Sequence, residues 1–146
     1  MQKVSKNTKD TQILAKDFLD LILRVKNKSA CIIGLYGELG TGKTTFSQFV
    51  AKNLGVKRKV NSPTFVIMKR YSLKHKNFKN LFHLDAYRLK NHKELLILGW
   101  EEIISKPENL ILIEWPENVI KAIPKKHHKI HISHTKEGHR SFKIKS

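Results

Sequence analysis

Gly37-Glu38-Leu39-Gly40-Thr41-Gly42-Lys43-Thr44 satisfies the spacing G-x-x-x-x-G-K-[ST], and no other stretch of the chain restricts its fold as tightly. The loop is useful only between a strand and a helix, and both are written around it. Residues 29–36 form a continuous apolar run, the pattern of a strand buried on both faces of a parallel sheet. From Thr44 to Leu54 helical spacing resumes through Phe46, Phe49, Val50 and Leu54, and Gly55 ends it. A loop enclosing a polyphosphate must turn its backbone N–H groups inward, and glycines at 37, 40 and 42 allow both the dihedral angles and the close approach. The anion then meets the unsatisfied amides and partial positive charge at the start of the next helix. Lys43 is placed to reach the β- and γ-phosphates, and the Thr44 hydroxyl to ligate Mg²⁺. The plain alternative is a glycine-rich turn that happens to precede a helix; it leaves the agreement of strand, loop and helix unexplained.

The rest of the chain alternates in the same way. Its 146 residues suit one domain, with residues 1–10 expected to be partly loose and 11–146 to form the folded unit. Ile13, Leu14, Phe18, Leu21, Ile22 and Val25 predict an amphipathic helix from Thr11 onward, with Asp10 as its N-cap. Residues 65–71 and 80–86 read as strands, residues 94–98 and 100–104 as short helices, and 109–114 as a second buried strand. A short helix over 117–123 and alternating strands over 129–134 and 140–145 close the chain. Interleaved helices and strands make the class α/β in three layers with a mixed, mainly parallel central sheet, and the phosphate-loop motif makes the expectation a P-loop NTPase three-layer sandwich.

Hydrolysis needs acids to hold Mg²⁺ and orient water, and in such folds they stand where strands emerge beside the phosphate loop. Glu114 closes the run Leu110-Ile111-Leu112-Ile113, and Asp85 follows Leu81-Phe82-His83-Leu84. Either could instead be a cap or a surface charge. Asn61-Ser62-Pro63-Thr64 reads as a proline-stiffened loop, where Ser62 and Thr64 occupy the place of a nucleotide-sensing switch or of an ordinary turn.

Twenty-nine Lys and Arg against twelve Asp and Glu leave a net charge of +17, so polyanions are the first partner class. A general preference for Lys, Ile and Asn would produce the same charge. Clustered His127, His128, His131, His134 and His139 lack a carboxylate or Cys in register and read as a solvated basic face. A lone Cys31 within Cys31-Ile32-Ile33 reads as a buried, inert thiol in a reducing compartment. No window approaches a membrane span, so the expectation is a cytoplasmic protein without a membrane partner.

Four blocks taken together resemble one family in order and spacing: the phosphate loop through Thr45-Phe46, Ser62-Pro63-Thr64-Phe65, His83-Leu84-Asp85-Ala86-Tyr87-Arg88-Leu89 and Glu114-Trp115-Pro116-Glu117. They are similar to TsaE, the small bacterial ATPase of tRNA threonylcarbamoyladenosine biosynthesis. The resemblance runs from about Thr11 to the C-terminus. It implies a P-loop fold that binds ATP with Mg²⁺ and hydrolyses it slowly. It also implies work with the TsaD and TsaB proteins, which install a threonylcarbamoyl group beside the anticodon of certain tRNAs; TsaE regulates or resets that pair and does not transfer the group. By position, Lys43, Asp85 and Glu114 match the catalytic residues, and Thr44, Asp85 and Glu114 the metal-organising ones. Residues 37–45 (Gly37, Glu38, Leu39, Gly40, Thr41, Gly42, Lys43, Thr44, Thr45) match the ATP-binding loop. Trp115 would neighbour the nucleotide, Thr11 falls where the family has a threonine near the adenine, and Thr64 matches a switch-like loop. Tyr87 and Arg88 serve the pocket, the partner surface, or packing. Glu38 stands where Asp is usual and Thr41 where a smaller residue is usual, which leaves phosphate binding intact but could alter loop stiffness; Ala86 is a further small change. The runner-up, a small-molecule kinase on the same fold, lacks an evident lid, since the five arginines are scattered. A third possibility is a basic RNA-binding module whose nucleotide site is only structural.

Overall fold

The computed structural model describes residues 1–57 and 67–146. Seven strands build one sheet in the order β1-β7-β6-β2-β5-β4-β3. They are β1 (Gln2–Ser5), β2 (Cys31–Tyr36), β3 (Met68–Ser72), β4 (Asn80–Asp85), β5 (Asn109–Glu114), β6 (His128–His134) and β7 (Arg140–Lys145). The four central strands β6, β2, β5 and β4 run parallel. β3 pairs antiparallel on one flank, β7 and then β1 on the other. This is the mixed, mainly parallel sheet read from the sequence.

Strand alternation sorts the core into two layers. Cys31, Ile33, Leu35, Leu110 and Leu112 face α1 (Thr8–Ile22) and α2 (Lys43–Asn53), where Phe18, Leu19, Phe46 and Val50 meet them. Ile32, Phe82, Leu84, Ile111 and Ile113 face α3 (Lys93–Leu96), α4 (Trp100–Ser105) and a 3-10 helix over Pro116–Ala122. All six residues of β5 are buried, as a strand covered on both faces requires.

Several boundaries move. The segment 1–10, expected to be loose, holds β1, hydrogen-bonded along β7 from Gln2↔Lys143 to Ser5↔Arg140, and the first turn of α1. Three of the four β1 residues are exposed, so an edge strand of this kind leaves no apolar alternation to read. The cap of α1 is Asn7, not Asp10: extended Asn7 accepts from the Asp10 N–H at 2.8 Å, and Asp10 sits one turn in, accepting from the Lys6 N–H at 3.0 Å. β3 starts at Met68; residues 65 and 66 of the expected strand, with Ser62 and Thr64, lie outside the described residues. The helix expected over 117–123 is a 3-10 helix broken at Val119 (φ −132°, ψ 27°), compressed between Pro116 and Pro124.

Candidate nucleotide site

Glycine permits the turn from β2 into α2. Gly37, Gly40 and Gly42 have φ of 149°, 76° and 104°. A Cβ on Gly37 would lie 2.4 Å from the Ile132 carbonyl oxygen, and one on Gly42 would lie 2.6 Å from an Arg140 guanidinium nitrogen. The loop is therefore pressed against β6 on one side and covered by Arg140 of β7 on the other. Thr41 closes it internally, its hydroxyl donating to the Glu38 carbonyl at 2.9 Å.

The loop rims a cleft of about 660 Å³ lined by residues 39–45 together with Asp85, Arg88, Glu114, Trp115 and Arg140. Lys43 is 5% exposed; its ammonium donates to the Gly37 carbonyl and, at 2.8 Å, to the Glu38 carbonyl, and lies 4.4 Å from the centre of the Trp115 ring. Burial lowers its pKa, while the carboxylates of Glu114, Glu117 and Asp85 oppose that shift. Burial likewise raises the pKa of Glu117, against the pull of Lys43.

Parallel pairing brings the two acids together. β4 and β5 place Asp85 opposite Glu114, side by side on the α2 face at the emerging ends of both strands. Glu114 is 3% exposed and accepts from the Thr44 hydroxyl at 3.0 Å through one oxygen and from His83 Nε2 at 2.6 Å through the other. His83 is fully buried, and its Nδ1 has no hydrogen-bond partner among the described residues. Asp85 accepts from the Tyr87 N–H at 3.0 Å, an Asx turn that carries the chain out of β4. Next to Glu114, Trp115 is the one described non-glycine residue with positive φ, 60°, and it lets the chain leave the strand toward Pro116. Its ring packs 5.0 Å from that of Tyr87.

The cleft thus gathers Leu39, Gly40, Thr41, Gly42, Lys43, Thr44, Thr45, Asp85, Glu114 and Trp115, all singled out in the sequence. Gly37 and Glu38 contribute the carbonyls that hold Lys43. Thr11 stands apart. It is buried, its hydroxyl 2.6 Å from that of Ser5, in a smaller cavity of about 200 Å³ that shares Thr45 and Arg140 with the main cleft. Three participants had no assigned role in the sequence. His83 was legible in principle, since i and i+2 on a strand put it on the same face as Asp85. Arg140 reaches the site through tertiary pairing and gave no local signal, while Glu117, three residues beyond Glu114, acts on Lys43 through its charge. Arg88 and Arg140, far apart in sequence, both border the cleft.

The residues present fit a magnesium nucleotide. One hydroxyl and two carboxylates are hard oxygen donors, and the glycine backbone leaves room for phosphates where a Cβ would intrude. Among the described residues no group of three or more His, Cys, Asp or Glu is arranged to hold a metal, and none of the helices is long and apolar enough to cross a membrane. Mg²⁺ commonly takes only one or two protein groups, the remainder of its shell being phosphate and water.

A family model described as threonylcarbamoyl adenosine biosynthesis protein TsaE matches residues 5–142. A Bacillus subtilis (strain 168) protein described as tRNA threonylcarbamoyladenosine biosynthesis protein TsaE is 32% identical over 136 residues, covering 93% of this chain and 79% of its own. A Rickettsia felis protein of the same description is 40% identical over 112 residues, and the match covers 76% of this chain but only 60% of the relative. The crystal structure of Bacillus subtilis YdiB superposes with a TM-score of 0.77 at 26% identity, covering 99% of this chain and 83% of that one. The family match spans both the phosphate loop and the two strand-end acids, and the chain belongs to the TsaE family of threonylcarbamoyl adenosine biosynthesis proteins.

Proposed function

We propose that the protein is a Mg²⁺-dependent ATPase that serves tRNA threonylcarbamoyladenosine biosynthesis together with TsaD and TsaB partners. The observation that carries this reading is the Thr44–Glu114 hydrogen bond with Asp85 paired opposite Glu114, because it sets hydroxyl and carboxylates at the mouth of a phosphate loop. The similar proteins of Bacillus subtilis and Rickettsia felis, described as tRNA threonylcarbamoyladenosine biosynthesis proteins, support the pathway.

Bound magnesium would neutralise charge on the β- and γ-phosphates as a Lewis acid, with Thr44, Glu114 and Asp85 as its protein-side partners. Lys43 exchanges the carbonyls of Gly37 and Glu38 for phosphate oxygens, trading neutral acceptors for charged ones. His83 fixes the carboxylate plane of Glu114, so that its oxygens meet a hydroxyl or a water without rotating. Arg140, against Gly42, adds a second cation from the open side of the loop. Thr45 and Arg140 join the cleft to the Thr11 cavity, a path along which the adenosine end can extend.

Nucleotide affinity and phosphate release, measured separately, test the assignment. Lys43→Ala should weaken ATP binding by roughly 100-fold, the scale of a lost charged hydrogen bond. Glu114→Gln, which keeps an acceptor for His83, and Asp85→Asn should still bind and release phosphate at least ~100-fold more slowly. Unchanged release in both acid variants would remove their roles. Basal turnover should be slow and rise when TsaD and TsaB are added, and reconstituted tRNA modification should require both this chain and ATP.

A further inference from the structure

The second helical layer covers only part of the sheet. Its apolar cluster takes Ile32 from β2 and residues of β4 and β5, but none from β6 or β7. It stops at Gly34, where a Cβ would come within 3.3 Å of both Pro116 and His127. Beyond that point the same face of β6 and β7 carries polar side chains: Lys129 opposite Lys145, His131 opposite Lys143, and Ser133 opposite Ser141. His131, Lys143 and Lys145 are exposed, and Lys129 is half-buried.

Beside the lysines stands an aromatic stack. Tyr36, the last residue of β2, pairs in register with His131, and their rings lie parallel within 16° at 4.6 Å. His127 meets the hydroxyl end of Tyr36 at 2.9 Å, its ring centre 6.3 Å away and within 24° of parallel. The imidazole is anchored in turn by Nδ1 donating to the Pro124 carbonyl at 2.8 Å, and the Tyr36 ring leans over Gly34, where a Cβ would lie 3.0 Å from its edge, so the pair is fixed on the sheet. Burial and then Lys145, Lys143 and Lys129 keep His131 toward its neutral form, the form with an uncharged stacking face.

We propose that this uncovered face of β6 and β7, with Tyr36 at its margin, is a platform for single-stranded RNA, the bases extending the His131–Tyr36 stack and the phosphates following Lys129, Lys143 and Lys145. Neighbouring strands and alternate residues set the lysines roughly 5–7 Å apart, a spacing that an extended sugar-phosphate backbone can follow. Base-on-ring stacking beside a basic track is the chemistry of sequence-tolerant single-strand binding. An anionic membrane would use the lysines but offers no flat aromatic face to continue the ring stack, as a nucleobase does, so the stack favours RNA. The platform also adjoins the nucleotide site, since Tyr36 leads directly into Gly37 and Glu117 influences both Tyr36 and Lys43. It takes tRNA as its natural source of RNA from the function proposed above, but its chemistry needs no ATP turnover.

The test titrates the full chain with a labelled oligouridylate over a range of salt, beside heparin and acidic phospholipid vesicles, and measures ATP affinity of every variant as a check of fold. Lys143→Ala/Lys145→Ala should flatten the log–log salt slope by about 1.4, the value for two lost phosphate contacts on a single strand. His131→Ala should weaken oligouridylate about five-fold at unchanged slope and leave heparin binding unaffected. Exposed lysines elsewhere, Lys26→Ala/Lys52→Ala, should change neither. Loss of ATP binding with RNA binding intact would count against the ATPase reading alone. Equal losses in the control pair, equal sensitivity of heparin and oligouridylate to His131→Ala, or binding of vesicles in place of RNA would overturn the platform.

Discussion

Trp115 joins two properties that pull against each other: a left-handed backbone that costs about 1 kcal/mol or more in a residue with a Cβ, and an indole ring against the Lys43 ammonium. On the proposed transfer of Lys43 to a bound phosphate, the ring would lose its cation. Intrinsic fluorescence should therefore change on adding Mg-ATP, and the change should vanish in Trp115→Phe. It should persist in Trp100→Phe, because Trp100 is buried with its Nε1–H donating to the Ala122 carbonyl at 2.8 Å, away from the cleft. The loop glycines differ among themselves. Gly37→Ala forces a Cβ to 2.4 Å from a backbone oxygen and should cost ~3 kcal/mol, whereas Gly40→Ala, with open space around it, should cost only the ~1 kcal/mol of its positive φ. Urea midpoints of the two variants check the order. The loop was readable because each of its residue types answers one geometric demand; for His83 strand alternation gave the face it shares with Asp85, but nothing in the sequence said that its Nε2 meets the carboxylate of Glu114.

At the scale of elements, α1 and α2 are held by aromatic packing more than by their own propensity. Phe46 is fully buried, with ring centres 6.2 Å from Phe18 and 5.7 Å from Phe142, so it ties both helices to β7. Phe46→Ala should destabilise the chain by about 3–5 kcal/mol in denaturant titration, while Phe49→Ala, half-buried at the core margin, should cost distinctly less. Strands β5 and β7 match their expected bounds to the residue, the first because continuous burial leaves an unbroken apolar run, the second because Phe142 and Ile144 alternate with exposed lysines. β1 was hidden for the opposite reason: its pairing is backbone to backbone, and three of its four side chains face water. The 3-10 helix shows another limit. Pro124 announced its end, but the kind of helix that precedes it is decided by Trp115 leaving the strand and by Val119 packing inward.

The molecule as a whole carries a charge of +17, and its stability should respond to acid through three histidines. Burial, the largest cause in each case, lowers the pKa of His127, His128 and His131 below 6.5. The unfolded chain then binds more protons than the folded one between each lowered value and 6.5, so stability falls as pH drops through that interval and levels off beneath it. Urea midpoints at pH 7.5 and pH 5 should show the loss, and His127→Gln should reduce it. Cys31, by contrast, has its thiol pushed up to about 12 by burial and stays protonated throughout. The order of layers and the parallel centre were legible from alternating patterns. The uncovered face over β6 and β7 was not, because polar alternation reads the same whether a strand faces solvent or a ligand.

The pairing of Asp85 with Glu114 reaches further than the cleft. Both carboxylates are fixed by a ladder of main-chain bonds running back to Asn80 and Asn109, at the opposite end of the sheet. The connections between strands, such as residues 73–79 and 135–139, can therefore lengthen or shorten over generations without dislodging the acids. Chains of quite different length can keep one pairing of strand-end acids while remodelling everything that surrounds it.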